Sequence, residues 1–130
     1  MLTLEQFKAA RSVLRGVIRD TSLIHSTALS KSTGHNVYLK PENMQVTGAY
    51  KIRGAYYKIS TLSQEEKERG LITASAGNHA QGVAYAAQAA GVSATIVMPT
   101  TTPLVKVNNT KEYGARVILH GEVFDDAAEL

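Results

Sequence analysis

A lysine between two glycines is the first feature of this sequence that could carry chemistry. Lys51 follows Gly48 and precedes Gly54, where a loop is predicted to give way to a helix. A lysine amine attacks a carbonyl carbon only in its neutral form. The positive end of the helix dipole and the nearby Arg53 would both disfavour the ammonium form. These features suit a Schiff-base lysine, but by themselves they favour an ordinary surface lysine on a helical turn.

The second candidate segment is a turn of small residues, Ala74 to Gly82, between a predicted strand and a predicted helix. Open α/β sheets place ligands at such junctions, and small residues let backbone N–H groups face a bound anion. Ser75 and Asn78 add side-chain hydrogen bonds, and His79 is interpreted as a positioning group or a base. The spacing matches neither a dinucleotide-binding loop nor a Walker loop. A plain helix cap with small residues chosen for tight packing is the alternative interpretation.

The elements around these segments alternate short strands with helices. Apolar runs at 71–74, 94–98 and 117–119 precede helical patterns at 79–90, 104–113 and from 122 onward. This alternation is typical of βαβ units with a parallel sheet buried on both faces. We therefore expect an α/β fold with an open, mostly parallel sheet and flanking helices.

The N-terminal half is predicted to contain further helices. Two helix starts are marked by capping boxes, Thr3 with Gln6 and Ser63 with Glu66. The first of these helices is predicted to place Leu4, Phe7, Leu14 and Ile18 on or near one face, and another helix is predicted over 51–60. Residues 30–36 form a polar stretch with no predicted element. A short strand candidate follows at Val37–Leu39 and is stopped by Pro41.

Composition and charge argue against several classes of protein. The 130 residues carry a net charge of +3 with scattered basic residues, so we expect no nucleic-acid partner. Cysteine is absent, and the histidines other than His79 lack metal-ligand spacing, so we expect no metal. Asp125 and Asp126 are interpreted as solvated helix charges. With no signal-peptide pattern and no apolar stretch of the roughly 18 residues that a membrane span needs, we expect a cytoplasmic protein without a membrane partner.

The lysine segment and the small-residue turn together resemble two motifs of one enzyme family. Residues 49–55 spell Ala-Tyr-Lys-Ile-Arg-Gly-Ala after a Lys-Pro-Glu-Asn lead-in at 40–43, and residues 75–82 spell Ser-Ala-Gly-Asn-His-Ala-Gln-Gly. Both are similar to fold type II pyridoxal phosphate (PLP) enzymes of the tryptophan synthase beta and serine racemase superfamily. Within it, they resemble the threonine ammonia-lyases, also called threonine dehydratases.

The resemblance implies a role for each matching residue. Lys51 would be the catalytic residue, holding PLP as a Schiff base and later moving the Cα proton. Tyr50 would flank the cofactor in place of the more usual phenylalanine, and Asn78 would hydrogen-bond its phenolic oxygen. The residues that would wrap the substrate carboxylate are Ser75, Ala76, Gly77, Asn78 and His79. The implied reaction is β-elimination, which converts threonine to 2-oxobutanoate, or serine to pyruvate, and releases ammonia.

Ala76 favours elimination over racemisation. Serine racemases of this fold carry a second serine at the position of Ala76, which donates a proton on the face opposite the lysine, and alanine has no such proton. A serine racemase or another PLP lyase or synthase of this fold remains an alternative. A non-catalytic α/β binding module is another, although it would be expected to have lost Lys51 or Asn78.

The resemblance also implies how the chain is divided. Residues 1–50 would be the N-terminal segment of a large PLP domain, and residues 51–130 a truncated small α/β domain. The family's catalytic chains are much longer, and its Gly-rich phosphate loop is missing here. We therefore expect an N-terminal fragment that binds PLP weakly or not at all and does not turn over by itself. The full-length enzyme would be a homo-oligomer.

Overall fold

The computed structural model describes all 130 residues, which form seven α-helices and five β-strands. In chain order these are α1 (Leu4–Leu14), β1 (Ile24–His25), α2 (Thr27–Thr33), β2 (Tyr38–Leu39), α3 (Lys51–Ser60), α4 (Gln64–Arg69), β3 (Leu71–Ala74), α5 (Asn78–Ala90), β4 (Ala94–Met98), α6 (Leu104–Glu112), β5 (Arg116–Leu119) and α7 (Phe124–Glu129). A short 3-10 turn lies at Glu42–Met44. No helix combines the length and the apolar character that crossing a membrane requires.

A three-stranded parallel sheet in the order β3-β4-β5 forms the C-terminal half, which confirms the predicted α/β class. Its central strand, β4, is nearly all buried and has the predicted bounds. The first residue pair between β3 and β4 is Leu71 with Ala94. The first residue pair between β4 and β5 is Thr95 with Arg116. Because the strands are parallel, their carboxyl ends meet at one edge, and the turn that opens α5 lies there.

The core lies where α3 and α5 pack on each other and on the sheet. Ile52, Ala55 and Ile59 are the buried residues of α3, which is the helical spacing predicted for 51–60. The side of α5 facing this core is mostly alanine, valine and glycine. Small side chains let two helix backbones approach closely, so α5 can bring its first turn alongside the start of α3.

The region before α3 differs most from the prediction. The polar stretch at 30–36 overlaps a helix, α2, that was not predicted and has no buried residue. It forms because both of its ends are capped. Ser26 accepts a hydrogen bond from the Leu29 amide, and Gly34 adopts a left-handed φ of 71°. The strand predicted at 37–39 is present as β2, but it pairs antiparallel with β1 rather than joining the parallel sheet.

Helix ends elsewhere follow the predicted caps. Both capping boxes are confirmed, each with reciprocal hydrogen bonds. In α1, however, Leu14 is the buried residue of the predicted apolar face, while Leu4 and Phe7 are 68% and 59% exposed. The interpretation of Asp126 as a merely solvated charge was wrong. Its carboxylate accepts hydrogen bonds from the amides of Glu122 and Val123, which lower its pKa and cap α7, which begins at Phe124.

Candidate active site

Lys51 is the first residue of α3, and its side chain is exposed. The chain enters the helix through a turn in which the Gly48 amide donates to the Gln45 carbonyl oxygen at 2.8 Å. Gly48 has a φ of 70°, a conformation that side-chain-bearing residues rarely adopt, which explains the glycine before the lysine. The Lys51 Nζ atom lies 5.7 Å from the centre of the Tyr50 ring, which is itself largely exposed.

The lysine loop is fixed by Gln45, a residue that the sequence analysis did not single out. Its side chain is 3% exposed and bridges the backbone of Arg19, accepting from the amide at 2.8 Å and donating to the carbonyl at 3.0 Å. It also accepts from the Val46 amide at 3.0 Å. These bonds satisfy buried backbone groups on two segments at once and hold the loop in one position.

Arg53 has partners that the sequence analysis did not assign to it. Its guanidinium donates through two nitrogens to the Glu42 carboxylate, at 2.9 and 2.7 Å, and at 3.0 Å to the Thr21 hydroxyl. The charge of Arg53 is thus neutralised within an ion pair. The hydrogen bonds and charge of Arg53, with the Thr21 hydroxyl, lower the pKa of Glu42 from its usual 4.5 to about 2. We call these three residues the Glu42 cluster, and it closes the loop that leads to Lys51.

Ser75 links the small-residue turn to the sheet and to α5. Its amide donates to the Val97 carbonyl oxygen at 3.0 Å, so it extends the ladder between β3 and β4. Its hydroxyl accepts from the Gly77 and Ala80 amides at 3.3 and 3.2 Å. Ser75 therefore caps α5, as the alternative interpretation requires, and the hydroxyl retains its own hydrogen for donation to a ligand.

The first turn of α5 presents polar groups to solvent. Asn78 and His79 are exposed, and Ala76 and Gly77 are partly exposed. None of the hydrogen bonds within the chain uses the backbone N–H groups of Asn78 or His79. Free N–H groups at the positive end of a helix suit a carboxylate or a phenolate oxygen.

Lys51 and the turn are brought together by Gly82. A Cβ atom placed on Gly82 would lie 3.2 Å from the Ile52 amide nitrogen and 3.4 Å from the Lys51 Cβ. Gly82 comes one helical turn after Asn78, so the two lie roughly 6 Å apart along α5. The backbone of Lys51 thus packs against α5 about one helical turn from the exposed Asn78 and the free N–H groups.

Comparison with known proteins decides the family. Residues 14–130 match the family described as pyridoxal-phosphate dependent enzyme. The chain belongs to this family. It is 56% identical over 129 residues to an L-threonine ammonia-lyase of Thermotoga maritima, covering 99% of this chain and 32% of that protein. It is 53% identical over 127 residues to the catabolic L-threonine dehydratase TdcB of Staphylococcus aureus, covering 97% of this chain and 37% of that protein. The chain spans about a third of the length of these curated relatives.

Solved structures agree on the fold. Threonine deaminase isoform 2 of Solanum lycopersicum superposes with a TM-score of 0.84 at 42% identity, over 99% of this chain and 37% of that one. Maize serine racemase superposes with a TM-score of 0.88 at 34% identity, over 95% of this chain and 38% of that one. The family's cofactor is PLP, a flat aldehyde with a phenolic oxygen. The residues present fit its reactive side, since Lys51 supplies an exposed amine and the first turn of α5 supplies an exposed amide and free N–H donors.

Sequence reasoning missed the residues that position the site. Gln45 and the Glu42 cluster act through contacts between segments about 11 to 32 residues apart, which no local pattern encodes. Gly82 was noted only as the end of a motif. Glu42 and Arg53 lie in the segments quoted at 40–43 and 49–55, but nothing in those segments shows that they pair, and Gln45 lies in the loop between them. No group of three or more His, Asp or Glu side chains is arranged to hold a metal ion.

Proposed function

We propose that this chain is the lysine and substrate-loop portion of a PLP-dependent threonine ammonia-lyase. The enzyme would convert threonine to 2-oxobutanoate, or serine to pyruvate, with release of ammonia. The observation that carries the proposal is the position of Lys51, packed beside the first turns of α5 through Gly82. Identities of 56% and 53% to an L-threonine ammonia-lyase and an L-threonine dehydratase support the choice of reaction.

Lys51 would hold the cofactor through its Nζ atom and then carry the Cα proton of the substrate. When bound, PLP supplies an electron sink for the charge left at Cα. The lysine is suited to both tasks because it is exposed at the start of a rigid helix whose next residue, Ile52, is fully buried. A long side chain anchored at a fixed backbone position can swing between a bound ligand and a nearby proton.

The opening of α5 would bind the substrate and orient the cofactor. The N–H groups of Asn78 and His79, with the Ser75 hydroxyl and the backbone of Ala76 and Gly77, would hold the substrate carboxylate. The Asn78 side-chain amide would donate to the phenolic oxygen of PLP. The Tyr50 ring, exposed beside the Lys51 Nζ atom, would flank the cofactor.

A serine racemase is the second candidate, because maize serine racemase superposes with a TM-score of 0.88. Racemisation requires a proton donor on each face of Cα. In this proposal Ala76 would stand at the loop position where racemisation needs a donor on the face opposite Lys51, and the methyl group of alanine has no exchangeable proton. Elimination, which removes the proton without returning it to the opposite face, is therefore favoured.

The proposal includes the domain division and assembly of the whole enzyme. Residues 1–50 would belong to the large PLP domain and 51–130 to the small domain. The exposed Leu4 and Phe7 of α1 suit an interface with further protein, as the proposed large domain would provide. The whole enzyme would be a cytoplasmic homo-oligomer, which sedimentation of the full-length protein and cell fractionation would test.

A chimera provides the direct test of function. This chain replaces the matching 129-residue segment of the Thermotoga maritima relative, and keto-acid formation from threonine and serine is measured. We expect 2-oxobutanoate and ammonia in equal amounts, and no product from Lys51→Ala. Lys58→Ala is the matched control, because Lys58 is an exposed lysine on the same helix. A chimera that binds PLP but only racemises serine would support the second candidate, and one that binds PLP without turnover would support a binding module.

The 130-residue chain by itself is expected to hold PLP weakly or not at all. The residues described above would contact the aldehyde and the phenolic oxygen, and the proposal assigns none of them to the phosphate. Titration of the chain with PLP, followed by visible absorbance and compared with Lys51→Ala, checks this. A stoichiometric band that depends on Lys51, with ammonia released from threonine, would contradict it.

A further inference from the structure

The backbones of α3 and α5 approach closely at Lys51. Gly82 is buried, and a Cβ atom added to it would lie 3.2 Å from both the Lys51 carbonyl carbon and the Ile52 amide nitrogen. Carbon contacts this short are tighter than ordinary van der Waals packing. The atoms on the other side are backbone, which cannot rotate away as the end of a side chain can. Any residue larger than glycine would therefore push the start of α3 by a few tenths of an ångström.

The neighbouring packing determines which part of the site would move. Ile52 is fully buried and sits in the same core as Ala80 and Val83 of α5, so α3 cannot slide freely along its neighbour. The turn before α5 is held separately, by the bonds of Ser75 to β4 and to its own helix. A side chain at Gly82 would thus displace Lys51 while leaving the turn in place.

We propose that Gly82 is a positioning residue that sets the separation between Lys51 and the ligand-binding turn of α5. This inference rests on the proposed function for its chemistry, but the contact itself is independent of the substrate. Gly82 touches no ligand in this proposal and acts only through the backbone of Lys51 and Ile52. Its absent side chain fixes where the lysine amine can reach.

The consequence is a specific kinetic signature. A misplacement near 1 Å of a reacting group can lower a rate by about 100-fold, so a few tenths of an ångström should lower kcat roughly 3- to 30-fold. KM for threonine should change less than about twofold, because the substrate carboxylate is bound by the undisturbed turn. A residue that mattered only for folding would lower the amount of active enzyme without this split between kcat and KM.

The test uses Gly82→Ala and the larger Gly82→Ser in the full-length chimera. For each, kcat and KM are measured, and bound PLP is trapped with borohydride and located by mass spectrometry. We expect kcat to fall in the order glycine, alanine, serine, with KM nearly constant and slower trapping on Lys51. Trapping does not require turnover, so a chimera inactive on threonine would refute the proposed function while still reporting on Gly82.

Two control variants separate position from stability. Gly54→Ala makes the same change on α3, where a Cβ would meet nothing within 4 Å, and Ala89→Gly weakens α5 at an exposed position. We expect both to keep kcat and trapping within about twofold, since neither touches the contact between the helices. Unchanged kcat and trapping in Gly82→Ala, or a fall equal to that in Ala89→Gly, would overturn the proposal. Complete loss of folded protein in Gly82→Ala would also overturn it, because the contact would then serve stability alone.

Discussion

The Glu42 cluster gives the stability of this chain a defined dependence on pH. In the folded chain the pKa of Glu42 is lowered from 4.5 to about 2, chiefly because Arg53 donates two hydrogen bonds to it. A carboxylate whose pKa is lowered by folding stabilises the fold above its unfolded value, and this stabilisation is lost as the pH falls. The loss should therefore fall between about pH 4.5 and about pH 2.

The size of this pH-dependent stabilisation follows from the shift in the pKa of Glu42. A pKa shift of one unit corresponds to about 1.4 kcal/mol. The shift of Glu42 therefore corresponds to about 3 kcal/mol of unfolding free energy. The side chains of Arg53 and Glu42 are 30% and 17% exposed, and solvent screening brings the expected contribution to about 2 kcal/mol. Glu42→Gln should lower the free energy of unfolding by this amount near neutral pH, because Gln cannot pair with the charge of Arg53.

Urea unfolding followed by circular dichroism measures this in the 130-residue chain. The difference between the native chain and Glu42→Gln should be largest near neutral pH, begin to shrink near pH 4.5 and vanish by about pH 2. Glu5→Gln is the matched control, because Glu5 pairs with Lys8 at 2.8 Å but both side chains are more than half exposed. Its effect should stay below about 1 kcal/mol. A loss for Glu42→Gln that is independent of pH, or no larger than that control, would refute the reasoning.

Three further substitutions test the parts that hold the two segments in place, each by urea unfolding. Ser75→Ala removes the side-chain cap of α5 and should lower the free energy of unfolding by about 1 kcal/mol, whereas Ser32→Ala, on an exposed face of α2, should change it little. Gly48→Ala forces a side chain onto a φ of 70° and should destabilise by about 1 kcal/mol, whereas Gly54→Ala should be neutral or stabilising. Gln45→Ala leaves buried groups of Arg19 and Val46 without partners and should cost about 2 kcal/mol or more, and a loss below that of Ser75→Ala would contradict the bridging role.

The elements that were predictable are those whose pattern is local and strong. β4 matched the prediction at both ends because a continuous apolar run, bounded by turn residues, has few alternatives. α3 matched because Ile52, Ala55 and Ile59 recur at helical spacing. The missed helix α2 lacks an apolar face altogether, and its only signals are the caps Ser26 and Gly34. Periodicity therefore fails where a helix is stabilised at its ends and not along one side.

The site was predictable as motifs but not as geometry. Lys51 and the turn from Ser75 to His79 were identified from residue types and resemblance, and the structure packs Lys51 against Gly82, which follows that turn on α5. The direction of a side chain is set by tertiary contacts, which is why the pairing of Arg53 with Glu42 was not predicted. Contacts between distant segments, such as Gly82 on Lys51, have no signature in a single sequence.

The weakly buried helix α2 has a consequence for the dynamics of the chain. Its residues bury no side chain, so little apolar surface opposes its opening. Its amide hydrogens should therefore exchange with deuterium well before those of α5, and a protease should cut here early. The same property makes residues 27–34 a suitable place to insert a reporter peptide, since an insertion there leaves the parallel sheet and the lysine loop intact.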